Sequence, residues 1–175
     1  LAAVAELVLE AHRAAAEARG LDLRFSFEPA TLAGDRRLVE RLCSNLIQNA
    51  VRHNIPDGQV RLHVGHERGR ATLRVLNTGP RVPAQEIDRL LQPFQRLARD
   101  RVGHQDGVGL GLSIVGAIAT AHDAVLDIRP GPEGGLDVRV SFPRYSGASV
   151  ELAEPVGSEE LAFGKSTVTA SPPAG

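Results

Sequence analysis

The chain has 175 residues, of which 42% are hydrophobic, and 20 Lys plus Arg against 21 Asp plus Glu leave a net charge of −1. That balance removes the electrostatic case for a nucleic-acid binder, which needs a basic excess or stripe, and no apolar run approaches the roughly 18 residues of a membrane span. Cys43 is the single cysteine, which excludes an internal disulfide and points to a reducing compartment. No charged-then-apolar leader opens the chain, and the absence of Met suggests that Leu1 lies inside a longer protein. Aromatics are only 3%, so the core must come from Leu, Val, Ile and Ala, and a domain of this size buries about 68–70% of its unfolded surface.

Residues 2–19 read as an Ala-rich helix stopped by Gly20. Leu21, Leu23, Phe25 and Phe27 then alternate with polar residues, the pattern of a half-buried strand ended by Pro29. Asp35 is a good N-cap for a second helix running to about His53, with Leu38, Val39, Leu42, Cys43, Leu46, Ile47 and Ala50 on its apolar side. Asn54 to Gly58 breaks it, and strands at about 59–66 and 71–77 read as a hairpin. A short helix is expected near 84–91 and a polar loop over 95–108, long enough to suggest function or disorder. A third main helix is expected after Gly107, with Leu110, Ile114, Val115, Ile118 and Ala119 inward. Two last strands, 124–129 and 135–142, flank a Pro-Gly-rich turn. Residues 145–175 carry four glutamates and one lysine, net −3. The expected organisation is a domain over 1–143 and a disordered tail over 144–175. Strands and helices do not alternate regularly. The expected class is therefore α+β, a two-layer α/β sandwich whose mixed sheet is covered on one face by helices.

Asn45 and Asn49 lie four residues apart, one above the other at the margin of the apolar stripe of the second helix. Alone they are a weak signal that also reads as solvated asparagines at a helix end, but their carboxamide oxygens suit Mg²⁺ shared with phosphates. Arg52 continues the same edge and could meet phosphate oxygens. Asn77-Thr78-Gly79-Pro80 ends a strand. It is a turn by composition, and by chemistry an Asn whose oxygen could accept from an exocyclic amine. Gly107-Val108-Gly109-Leu110-Gly111-Leu112 places glycines at alternate positions where a helix opens, and free N–H groups with the helix dipole there favour an anion. A dinucleotide fingerprint would need a strand immediately before the first glycine, and a polar loop precedes it instead.

In order, LCSNLIQNA at 42–50, NTGP at 77–80, LQPFQRL at 91–97 and GVGLGLSIV at 107–115 resemble the N, G1, F and G2 boxes of sensor histidine kinases. Over residues 1–143 the chain is similar to their catalytic, ATP-binding domain, of the GHKL superfamily with the Bergerat fold, and most like VanS-type kinases. The resemblance implies ATP and Mg²⁺ as cofactors, with Asn49 as the metal ligand, Asn45 its neighbour, and Arg52 and His53 where the family has a phosphate-contacting lysine and a tyrosine. It puts Asn77 in place of the aspartate that recognises the adenine amine, Gly79 below the base, Phe94 at the base of the ATP lid, and Gly107, Val108, Gly109, Leu110, Gly111 and Leu112 around the phosphates. Asn49 and Arg52 would serve the chemistry.

The resemblance further implies transfer of the ATP γ-phosphoryl group to a histidine on a separate dimerisation and phosphoacceptor domain, with a response regulator as downstream partner. It implies no nucleic acid, no membrane contact by this segment, and a cytoplasmic location in a membrane-anchored kinase. The phosphoacceptor box is absent from the sequence; His12 does not match it, and His63 and His66 fall in a strand. Asn45 stands where hydrolases of the superfamily carry a water-activating glutamate, so slow intrinsic hydrolysis is expected. The competing readings are an anti-sigma-type serine kinase and a non-catalytic nucleotide-sensing module, the latter favoured by Asn77 in an acid's place.

Overall fold

The computed structural model describes residues 1–92 and 110–145; the expected loop over 95–108 and the expected tail, apart from 144 and 145, lie outside them. Among the described residues four α-helices and five strands follow in the order α1 (Ala2–Glu17), β1 (Asp22–Phe27), α2 (Arg36–Arg52), β2 (Gln59–Glu67), β3 (Arg70–Asn77), a 3₁₀ turn (Ala84–Glu86) leading into α3 (Ile87–Leu90), α4 (Gly111–Ala121), β4 (Val125–Pro130) and β5 (Leu136–Ser141). The strands form one mixed sheet in the order β1-β2-β3-β5-β4, with β1 and β2 parallel and the other pairs antiparallel. This is the expected α+β class.

Local chemistry accounts for most boundaries. Asp35 caps α2, its Oδ1 accepting from the N–H groups of Arg37 at 2.7 Å and Leu38 at 3.2 Å. Arg68 and Gly69 join β2 to β3 with φ of 52° and 77°, the two positive values of a tight hairpin turn whose twist matches its strands. In β2, Val60, Leu62 and Val64 are buried on one face. Leu73 and Val75 of β3 and Val138 and Val140 of β5 continue that layer. Onto it α2 lays Val39, Leu42, Cys43, Leu46, Ile47, Ala50 and Val51, and α4 lays Leu112, Val115, Ile118 and Ala119.

Three expectations change. Phe25 is 49% exposed because β1 is an edge strand with a neighbour on one side only, and its ring stacks on Phe27 at 5.3 Å instead of entering the core. Leu38 sits in the first turn of α2, beyond the reach of the sheet, and is 38% exposed. The helix expected after Gly107 begins at Gly111, so Leu110 is its N-cap residue and Leu112, not Leu110, fills the core.

The open face of the sheet is polar and paired. Arg74 and Asp137 make a two-pronged contact across β3 and β5, at 2.8 and 2.6 Å. Hydrogen bonding from Arg74 holds the Asp137 carboxyl below the usual carboxylate range. A depressed carboxyl pKa contributes stability above its unfolded value, and that contribution disappears as pH falls through the folded one. Asp137→Asn is therefore expected to cost about 1 kcal/mol near neutral pH. The gap to the native chain should close as urea midpoints are followed down through about pH 4 toward 3; a gap that does not change with pH contradicts the ion-pair account.

Candidate functional site

α2 forms one long wall of the site. Asn45, Asn49, Arg52 and His53 are all partly exposed along the edge of its buried face. Asn45 donates from Nδ2 to the Arg41 carbonyl at 2.7 Å; since a carbonyl only accepts, this fixes the amide flip and leaves Oδ1 outward. That oxygen lies 3.6 Å from where a Cβ on Gly111 would stand, so the first turn of α4 faces Asn45 directly. The carboxamide of Asn49, one turn on, has no hydrogen-bond partner among the described residues, and Arg52 and His53 each make an interaction.

The other end of the wall meets the end of β3. Asn77 pairs in register with Val60, which turns its side chain to the helix-bearing side, and it is 4% exposed. Its Nδ2 donates to the Thr78 carbonyl at 2.7 Å. Its Oδ1 takes no hydrogen bond from a described residue and is not among the unpartnered side-chain atoms sealed from solvent, so it opens as a bare acceptor. Behind it, Asn54 is 7% exposed and hydrogen-bonded throughout, including an acceptor contact from the Thr78 hydroxyl at 2.6 Å. The turn between β4 and β5 closes the rear, with Gly135 donating its N–H to the Pro80 carbonyl at 3.0 Å.

The structure thus brings Asn45, Asn49, Arg52 and His53 onto one helix edge, with Gly111 beside its middle and Asn77 and Gly79 at its C-terminal end. Asn45 and His53 are eight residues apart, about 12 Å along the axis. Gly111 offers only backbone at the mouth of α4, Leu110 is the half-buried N-cap residue before it, and the Leu112 side chain is spent in the core, at 7% exposure, so it presents at most its N–H group. Phe94, Gly107, Val108 and Gly109 lie outside the described residues. Sequence reasoning missed Asn54, Thr78 and Gly135 as parts of this wall. Asn54 carried only a helix-breaking signal and Gly135 only a turn signal, and neither points to a distant partner.

Other candidates fall away from the cluster. His12 faces Ser44 across α1 and α2 at 3.0 Å, and burial lowers its pKa; its neighbour is a hydroxyl on the far side of α2. A shallow groove lined by Arg61, Leu76 and Glu133 opens on the polar face of the sheet and meets the cluster through Asn77 and Thr78. Among the described residues no group of three or more His, Cys, Asp or Glu could hold a metal ion. A cation here would rest on few protein oxygens and on its ligand, the manner in which Mg²⁺ binds with phosphates.

A family model described as histidine kinase-, DNA gyrase B- and HSP90-like ATPase matches residues 34–146. Among curated proteins, the chain is 44% identical over 144 residues to the sensor protein CutS of Streptomyces coelicolor, covering 82% of this chain and 35% of that protein. It is 38% identical over 116 residues to the sensor protein KdpD of Mycobacterium tuberculosis, covering 65% of this chain and 13% of that protein. The chain therefore spans about a third or less of these relatives. Among solved structures, the catalytic domain of histidine kinase ThkA superposes with a TM-score of 0.72 at 21% identity, covering 82% of this chain and 92% of that one. The mycobacterial sensor histidine kinase MprB gives 0.69 at 24%, covering 80% and 91%.

The close approach of the strand end to α2 has a direct test. A Cβ on Gly79 would lie 2.7 Å from the His53 carbonyl oxygen and 3.1 Å from the Gly135 Cα, backbone on both sides. Gly79→Ala should therefore cost about 1–3 kcal/mol by overpacking. Gly116→Ala is the control: its Cβ meets only a Leu91 methyl at 3.8 Å, and it should gain up to about 1 kcal/mol of helix propensity. Urea denaturation of both variants checks this; equal effects would mean that the two glycines are not in different surroundings.

Proposed function

Because the chain belongs to the family of histidine kinase-, DNA gyrase B- and HSP90-like ATPases, we propose that it is the ATP-binding catalytic domain of a two-component sensor histidine kinase. It transfers the ATP γ-phosphoryl group to a histidine on a separate dimerisation and phosphoacceptor domain, from which a response regulator is phosphorylated. The observation that carries the reading is the Asn77 amide: its donor is tied to the Thr78 carbonyl at 2.7 Å and its oxygen is left open. A bare acceptor in a nearly buried setting asks for a donor, and the adenine 6-amino group supplies one where the guanine 6-oxygen does not.

From that end the triphosphate extends along α2 toward Asn45 and the mouth of α4. Asn49 would hold Mg²⁺ through its carboxamide, with Asn45 beside it and Arg52 placed to meet phosphate oxygens. The cation, when bound, neutralises charge on the transferring phosphate. The backbone N–H groups at Gly111 and Leu112 add the positive end of a helix dipole. Phosphoryl transfer depends on positioning and electrostatics more than on covalent help from the protein. No carboxylate stands at Asn45 to activate water, so the residues favour transfer to an imidazole, which is a nucleophile in its neutral form. No helix among the described residues is long and apolar enough to cross a membrane. In this reading the domain lies on the cytoplasmic side of an anchored kinase.

Calorimetric titration of the chain with ATP and with GTP, with and without Mg²⁺, tests the assignment. ATP should bind at least about tenfold more tightly than GTP, the cost of leaving a buried polar group mispaired. Asn77→Ala should abolish binding, and Asn49→Ala should bind ATP without the Mg²⁺ enhancement. Mixed with its phosphoacceptor domain, the native chain should yield an acid-labile phosphoprotein. An acid-stable product would favour the serine-kinase reading, and binding without any transfer the sensing module.

A further inference from the structure

Behind the Asn77 end of the proposed ATP site, where α2 meets the end of β3, lies a closed set of buried hydrogen bonds that phosphoryl transfer itself does not use. Asn54, just past the end of α2, donates from Nδ2 to the Ala50 carbonyl at 3.2 Å and the Gln59 carbonyl at 3.1 Å. Its Oδ1 accepts from the Ile55 N–H at 3.0 Å and from the Thr78 hydroxyl at 2.6 Å. The Thr78 hydroxyl oxygen in turn accepts the Gln59 N–H at 2.7 Å. Two donors and two lone pairs exhaust the capacity of a carboxamide, so Asn54 is satisfied in one geometry only. Its partners belong to three elements: Ala50 to the last turn of α2, Gln59 to the start of β2, and Thr78 to the residue after β3.

Thr78 stands between Asn77 and Gly79, and Asn54 follows Arg52 and His53 in the chain. Their 2.6 Å contact is therefore a direct joint between the metal- and phosphate-contacting helix and the base-reading strand end. We propose that Asn54 and Thr78 are positioning residues that hold Asn77 at a set distance and angle from Asn49 and Arg52, an inference that rests on the ATP reading above. A ligand that occupies two subsites at once gains from both only when the protein holds their spacing in advance. A fully satisfied buried network provides that rigidity. The joint touches neither base nor phosphate. Loosening it leaves each half-site able to bind its own half of the ligand and removes the advantage of their connection.

That separation of effects is measurable on the full chain by calorimetry below the melting point of every variant, with MgATP, adenosine and magnesium tripolyphosphate as probes taken to millimolar concentration. Thr78→Val keeps the shape and removes the hydroxyl. It should weaken MgATP about tenfold, the scale of one buried hydrogen bond with its partners left unpaired, while adenosine and tripolyphosphate each change by less than about twofold. Thr78→Ser, which restores the hydroxyl, should return MgATP binding to the native value. Should Thr78→Val fail to fold, Thr78→Ala leaves room for water at the Gln59 N–H and carries the same comparison. Unchanged MgATP affinity with a lowered unfolding midpoint would reduce the network to a helix terminator and overturn the proposal. An equal loss for adenosine alone would overturn it in favour of a direct base contact. No MgATP binding by the native chain would instead overturn the ATP reading beneath it.

Discussion

The site depends on where α2 sits, and burial fixes that position. Seven of its side chains, from Val39 to Val51, enter the core, and its inner face is wedged among α1, α4 and the sheet. Burying aliphatic side chains contributes about 1.5–3 kcal/mol each, so neither rotation nor sliding of the helix is cheap. Polar groups then fix its ends. At the N-terminus Asp35 caps the first turn, and its own N–H is accepted by His122 Nε2 at 3.2 Å. His122 Nδ1 lies 2.9 Å from the Ile118 carbonyl; that carbonyl can only accept, so Nδ1 donates while Nε2 accepts, and the ring ties α4 to α2. At the C-terminus Asn54 does the corresponding work.

A helix held this firmly displays its margin in a constant direction, and the margin is where the carboxamides lie. Side chains a quarter-turn inward belong to the core and take no part in chemistry. Cys43 shows the difference: it is fully buried, and desolvation pushes its thiol up to about 12, which leaves no thiolate at neutral pH. Neutral asparagines suit the margin because a half-buried carboxamide costs less to desolvate than a carboxylate. An amide can also be aimed: Asn45 and Asn77 each spend the nitrogen on a backbone carbonyl and keep the oxygen for something else.

Much of this was legible in the chain because it is local. The cap at Asp35, the period of α2, the β2–β3 hairpin and the relation between Asn45 and Asn49 each follow from residues within a few positions of one another. The errors have physical sources. Phe25 alternates correctly for a half-buried strand, but alternation does not reveal that a strand lies at a sheet edge. Leu110 and Leu112 are both apolar near a helix start, and only the true first residue, Gly111, decides which turns inward. The joint at Asn54 and Thr78 and the approach of Gly135 to Pro80 link residues 24 and 55 positions apart. The first needs the loop after α2 to meet the end of the β2–β3 pair and the second needs β5 to pair with β3, and no local pattern encodes either approach. Family motifs point to the proposed site residues without explaining what holds them together.

The central claim is that the edge of α2, the end of β3 and the mouth of α4 form one MgATP site. The most direct test is a nuclear magnetic resonance titration of the isotopically labelled chain with MgATP, following the side-chain amides of Asn45, Asn49 and Asn77 and the backbone amides of Gly79, Gly111 and Leu112. The account predicts that these signals shift together with a single saturation curve, while those of Arg24, Arg129 and Arg139 on the open face of the sheet stay in place. Saturable shifts confined to the open face, or separate curves for Asn77 and Gly111, would contradict it.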